Sequence, residues 1–120
     1  MDIEERFLKY VSIDTQSDEY SDTTPSTLKQ LDLGKELVKE MLELGITDAH
    51  LDEYGIVYGT IKGNGGTGDI IGFIAHMDTS PDASGTNIKP QKINNYDGSI
   101  IEINKELGLS LDPEEFVSLK

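Results

Sequence analysis

The residues in this chain best suited to chemistry are His76 and Asp78, in the triplet His76-Met77-Asp78, where an apolar run gives way to polar Thr79-Ser80-Pro81-Asp82. Residues two apart in an extended chain project to the same side. The imidazole and the carboxylate would therefore share one face beyond the carboxyl end of a strand, where α/β sheets place their sites. Imidazole is a good zinc ligand, and a carboxylate that accepts its other ring N–H fixes its tautomer and orientation. Taken alone, the spacing leaves two readings open: a metal ligand with its supporting carboxylate, or a hydrogen-bonded structural histidine. The chain has no cysteine, so a thiol nucleophile, a thiolate metal site and a disulfide framework are excluded.

A second stretch, Gly63-Asn64-Gly65-Gly66-Thr67-Gly68, matches the G-x-G-x-x-G pattern. A dinucleotide fingerprint needs a strand before it and a helix after it, so that the helix N-terminus meets the pyrophosphate. Here strand-like apolar sequence follows at once, and the stretch reads as a hairpin loop. His50, in an acidic, turn-flanked segment with no second ligand at a useful spacing, reads as a surface residue. Asp112, Glu114 and Glu115 suit helix capping rather than metal ligation.

The elements that must position these residues follow from periodicity. Ile3, Phe7, Leu8 and Val11 recur at three- and four-residue spacing, predicting a short amphipathic helix with Asp2 at its positive end. Residues 12–24 are rich in Ser, Asp and Thr and read as an exposed loop. Thr24-Pro25-Ser26 predicts the start of a second helix, with Thr24 as N-cap and Pro25 in the first turn. Leu28, Leu31, Leu37, Val38, Met41 and Leu42 form its expected buried stripe, and Gly45 its left-handed stop. Beyond it, residues 49–52, 56–62 and 69–76 read as strands. Ile70, Ile71, Phe73, Ile74 and Ala75 are nearly unbroken apolar sequence, as expected for a central strand covered on both faces. Residues 98–104 predict a further short strand, and Asp112-Pro113-Glu114-Glu115 a capped helix start. These elements predict an α/β fold, helices packed on a mixed sheet. No internal repeat and no linker divides the 120 residues.

The formal charge of -13, from 23 acidic and 10 basic residues, opposes binding to phosphate backbones and anionic lipid. Nucleic acid and membrane are therefore not expected partners. The acidic start Met1-Asp2-Ile3-Glu4-Glu5-Arg6 lacks the basic region and apolar run of a signal peptide, and no apolar stretch reaches membrane-spanning length. A cytoplasmic location is the expectation.

Several segments taken together resemble the peptidase T group of the M20 zinc metallopeptidases. Phe7-Leu8-Lys9-Tyr10-Val11-Ser12-Ile13-Asp14-Thr15-Gln16-Ser17 is similar to the group's opening, and residues 72–82, containing His76-Met77-Asp78, look like its first metal-site motif. Pro25-Ser26-Thr27, the helix end from Glu36 to Gly45, residues 87–91 and Asn95-Tyr96-Asp97-Gly98 fall in the same order. The resemblance covers essentially the whole chain. It implies the N-terminal part of an M20-type catalytic domain over residues 1–120, and an aminopeptidase that releases the N-terminal residue of tripeptides. It further implies two zinc ions that activate a water. His76 would ligate one zinc, and Asp78 would be the catalytic aspartate supporting it. The group's other ligands, its general base and its lid or dimerisation domain have no counterpart in these residues. One histidine with one supporting aspartate falls short of the three protein ligands of a catalytic zinc, so the chain alone is expected to be inactive. The incomplete sheet would leave apolar edges open to self-association. A non-catalytic acidic α/β module, or part of another M20 exopeptidase such as a dipeptidase or deacylase, remain the alternatives.

Overall fold

The computed structural model describes residues 1–66 and 68–120, which form two compact units, Met1–Pro90 and Gln91–Lys120. In the first, α1 (Ile3–Val11) and α2 (Gln30–Glu43) accompany an antiparallel hairpin of β1 (His50–Leu51) and β2 (Val57–Tyr58). In the second, β3 (Ile101–Asn104) pairs antiparallel with β4 (Leu109–Leu111), followed by a 3₁₀ turn at Val117–Leu119. The predicted mixture of helices and strands is present. The strands form two separate two-stranded ladders, supplemented by a parallel bridge between Gln16 and Thr79.

Helix α1 begins where Asp2 permits. The Asp2 carboxylate accepts from the Glu5 backbone N–H at 2.8 Å, and the Glu5 carboxylate accepts from the Asp2 N–H at 2.9 Å, a reciprocal capping box. Its orientation differs from the expected one. Ile3 and Phe7 are exposed, while Arg6, Lys9 and Tyr10 turn toward α2. The reason is Glu40, buried at 4% exposure, whose carboxylate accepts from the Tyr10 hydroxyl at 2.5 Å and from Lys9 Nζ at 2.9 Å. Arg6 Nε lies 2.9 Å from its second oxygen. Glu36 adds a further ion pair to Lys9. A buried carboxylate needs such partners, so the polar face of α1 is drawn inward.

Helix α2 starts at Gln30 rather than just after Thr24. The expected N-terminal residues are engaged elsewhere. Ser26 Oγ accepts from the Asp18 backbone N–H, and Thr27 Oγ1 donates to the Gln16 carbonyl at 2.8 Å, while the Thr24–Pro25 peptide is cis. The C-terminal stop is as predicted. Gly45 has φ +89°, its N–H donates to the Leu42 carbonyl, and the Ile46 N–H donates to the Met41 carbonyl. This 6→1 and 5→2 pair closes a Schellman motif. Leu31, Leu37, Val38 and Met41 of the predicted stripe are half-buried, but Leu28 and Leu42 are exposed; the buried positions are Leu33, Gly34 and Glu40. A Cβ on Gly34 would lie 2.8 Å from Leu51 Cδ1, so its bare backbone lets the hairpin approach α2 closely.

The predicted central strand is the main correction in this unit. Residues 69–76 form no strand and join no ladder, and Ile70, Phe73 and Ile74 are 97%, 94% and 100% exposed. An apolar run of this kind needs a strand on each edge and cover on each face. The first unit offers α2 and a hairpin of two-residue strands, and neither pairs with it. The predicted strand at 56–62 likewise contracts to Val57–Tyr58. The Gly63-to-Gly68 loop reading includes Thr67, which lies outside the described residues.

In the second unit the predicted strand is present from Ile101, and its partner Leu109–Leu111 was not anticipated. Asn104 Oδ1 accepts from the Leu107 N–H and Gly108 takes φ +65° in the turn between them. Asp112 caps a turn rather than a helix: its Oδ1 accepts from the Glu114 N–H, and its carbonyl accepts from the Phe116 N–H.

Candidate functional site

The candidate pair stands at the end of the exposed apolar segment. His76 Nδ1 lies 3.0 Å from Asp78 Oδ1. An ionised carboxylate accepts only, so Nδ1 carries the proton and donates. In a neutral ring this leaves the lone pair on Nε2, the form in which an imidazole binds a metal. The contact is local, between residues two apart in the chain. His76 is largely exposed and Asp78 partly so.

Two open hollows, each about 650 Å³, flank this segment and share Ala75, His76 and Met77 in their walls. One is lined by Phe7, Val11, Leu33 and Ile88, among others; the second runs along Leu37, Met41 and Val57. Leu37 of α2 also borders both hollows.

What holds that end is the segment after α1, which was expected to be an exposed loop. Thr15 is 3% exposed. The Thr79 N–H donates to the Thr15 carbonyl at 3.2 Å, and the Ser17 N–H donates to the Thr79 carbonyl at 2.9 Å, forming the parallel bridge. Asp14 accepts from Lys29 Nζ at 2.8 Å, from the Gln16 N–H at 3.0 Å and from Thr86 Oγ1 at 2.8 Å. These donors, Lys29 foremost, hold its carboxyl down at about 2. Asp14 and Gln16 lie in the segment that resembles the family's opening, but their bonds to Gly85 and Thr86, 69 and 72 residues away, had no signal in the sequence.

His50 is exposed, stacked on Tyr58 with ring centroids 5.2 Å apart, and its Nδ1 lies 2.9 Å from the Asp48 carbonyl oxygen. It is remote in role from His76 and serves the hairpin. Asp112, Glu114 and Glu115 belong to the turn of the second unit.

The donor set fits one corner of a metal centre. His76 presents a free-tautomer imidazole nitrogen, and Asp78 is engaged in holding it. Among the described residues no three His, Asp or Glu side chains cluster so as to surround an ion. No helix among the described residues is long and apolar enough to cross a membrane.

No family model matches the chain. Curated sequences do. Peptidase T of Desulfitobacterium hafniense (strain Y51) is 57% identical over 116 residues, covering 96% of this chain and 28% of that protein. Peptidase T of Clostridium acetobutylicum is 51% identical over 113 residues, 93% of this chain and 28% of its own length. That of Alkaliphilus oremlandii is 51% identical over 119 residues, 97% of this chain and 29% of the protein. Over nearly its whole length this chain is similar to part of peptidase T, and it spans between a quarter and a third of the length of the relatives it matches.

Proposed function

We propose that this chain is the N-terminal part of the α/β catalytic domain of an M20-type zinc aminopeptidase that removes the N-terminal residue from tripeptides in the cytoplasm. The observation that carries the reading is identity of 57% over 116 residues to a peptidase T. The 3.0 Å contact between His76 and Asp78 supports the roles assigned within it. His76 is a ligand of one of two zinc ions, through Nε2. Asp78 accepts the Nδ1 proton and so keeps the ring in the ligating tautomer. Bound zinc supplies Lewis acidity for peptide hydrolysis. The remaining ligands and the general base come from sequence beyond these residues, so the 120-residue chain by itself does not hydrolyse peptides.

Two experiments test this. The protein encoded by the complete reading frame is assayed on tripeptides with free and with blocked N-termini, after chelation and after zinc is restored. Activity on the free tripeptides alone, lost on chelation and regained with zinc in wild type but not in His76→Ala, is expected. Equal cleavage of blocked peptides, or a fully active His76→Ala, overturns the reading. Calorimetry of the 120-residue chain with zinc should show weak binding that disappears in His76→Ala. Tight stoichiometric binding would show that the centre is complete without further ligands.

A further inference from the structure

The pair at residues 76 and 78 is attached to the first unit through the residues that follow it. Among the described residues, no backbone hydrogen bond joins residues 70–78 to any other part of the chain. The first anchored residue is Thr79, next to Asp78, and everything that anchors it belongs to residues 14–17. Thr79 makes both backbone hydrogen bonds of the parallel bridge, and its carbonyl also accepts from Ser17 Oγ at 2.9 Å. The Gln16 side chain uses both ends of its amide: Nε2 donates to the Pro81 carbonyl at 3.3 Å and Oε1 accepts from the Gly85 N–H at 3.1 Å. Asp14 binds Thr86 with one oxygen and Lys29 with the other.

The fit around these contacts is close. A Cβ on Gly85 would lie 3.0 Å from Asp14 Oδ1, 3.1 Å from Gln16 Cβ and 3.2 Å from Thr79 Oγ1. A side chain at position 85 would push on three members of the cluster, which would have to give by a few tenths of an ångström. Lys29, one residue before α2, ties the cluster to the helix. The 79–86 loop is thus fastened at its start, middle and end, and the start is one peptide from the site pair.

We propose that Asp14 and Gln16 are positioning residues for His76 and Asp78: through Thr79, Pro81, Gly85 and Thr86 they pin the loop that leaves the pair and so fix the backbone that carries it. The physical argument is that a contact between side chains at i and i+2 depends on the backbone torsions of the residues that carry it, which a fastened neighbour holds in place. Residues 70–78 have no ladder of their own to enforce this, so the bridge at Thr79 does it. The assignment rests on His76 and Asp78 being the functional pair, but its test reads placement rather than turnover.

The test uses the 120-residue chain labelled with ¹⁵N. Imidazole ¹⁵N spectra report which ring nitrogen of His76 is protonated, with His50 as an internal control, and amide exchange reports the Thr79 and Ser17 N–H groups. Gln16→Ala and Thr86→Val are expected to speed exchange at Thr79 roughly tenfold, the loss of about one hydrogen bond's worth of protection. They should also shift His76 away from the Nδ1–H form while His50 stays unchanged. Thr86→Ser, which keeps the hydroxyl, should restore both signals. Unchanged Thr79 exchange and an unchanged His76 tautomer in Gln16→Ala overturn the proposal. If Gln16→Ala loses the far-UV signal of α2, the comparison of Thr86→Val with Thr86→Ser decides alone, since that hydroxyl is exposed. An intact clamp in a chain whose His76 has no affinity for zinc would count against the metal role of His76 and leave the positioning role standing.

Discussion

Replacing Glu40 by Gln tests how α1 is held. Glu40 is 4% exposed, accepts hydrogen bonds from the Tyr10 hydroxyl at 2.5 Å and from Lys9 Nζ at 2.9 Å, and is ion-paired with Arg6, whose Nε lies 2.9 Å away. Glutamine keeps the volume and one acceptor oxygen but removes the charge. Hydrogen bonds to a charged group contribute about 1.5–3 kcal/mol, against roughly 1 for neutral ones. Lys9 and Arg6 are about one-third exposed, so water screens their share. A net loss of about 2 kcal/mol at neutral pH follows. With a urea dependence of about 1–3 kcal/mol per molar, the midpoint falls by about 1 M. The pH dependence carries a sign. The Tyr10 hydroxyl and Lys9 hold the Glu40 carboxyl below the usual range. Its contribution is therefore present above the ordinary glutamate value and is lost as pH falls through the depressed folded one. The gap between wild type and Glu40→Gln should be full near pH 7 and should narrow toward pH 3. Tyr10 sets the alkaline limit: burial, and then its bond to Glu40, push the phenol up to about 12. Its contribution is complete below 10.0 and is lost as pH rises through about 12. Urea titrations followed by far-UV circular dichroism across this range measure both limbs. A midpoint shift that is the same at pH 3 and pH 7, or one below about 0.3 M at pH 7, would refute the account, since a buried carboxylate with two hydrogen-bond donors and an ion-paired guanidinium cannot behave so.

Gly45→Ala forces a Cβ into a backbone at φ +89° and should cost about 1 kcal/mol, read as a lower denaturation midpoint. No change would mean the α2 terminus adopts another conformation. Ile74→Lys, at a fully exposed position, should leave stability within about 0.5 kcal/mol while lowering self-association in sedimentation. A loss well beyond that would show that the side chain is covered in solution. In the protein encoded by the complete reading frame, Asp78→Ala should lower zinc affinity or turnover about 10–100-fold with little change in melting temperature, because its proposed task is to orient His76. Equal activity would make it a bystander.

What the sequence determined by itself was short-range. The Asp2–Glu5 capping box, the Gly45 terminus of α2 and the His76–Asp78 contact each involve residues within a few positions of one another. Their geometry follows from local backbone conformation, which residue type and spacing encode. The relationship to peptidase T was legible for the same reason, as an ordered series of local segments. Tertiary structure decided the rest. Which face of α1 turns inward depends on Glu40, thirty residues along the chain from Tyr10, and a buried carboxylate outweighs an amphipathic pattern because leaving it unpaired costs more than exposing Phe7. The start of α2 moved because Ser26 and Thr27 bind the Asp14–Asp18 region instead of capping the helix. The apolar run at 70–75 encodes a covered strand, but cover requires partner strands, and pairing is a property of the whole fold rather than of the segment. Most of all, the fastening of residues 79–86 by Asp14, Gln16 and Ser17 spans 62 to 72 residues of sequence. Contacts at that range leave no periodicity to read, and only folding brings them beside the one pair whose chemistry the sequence had already marked.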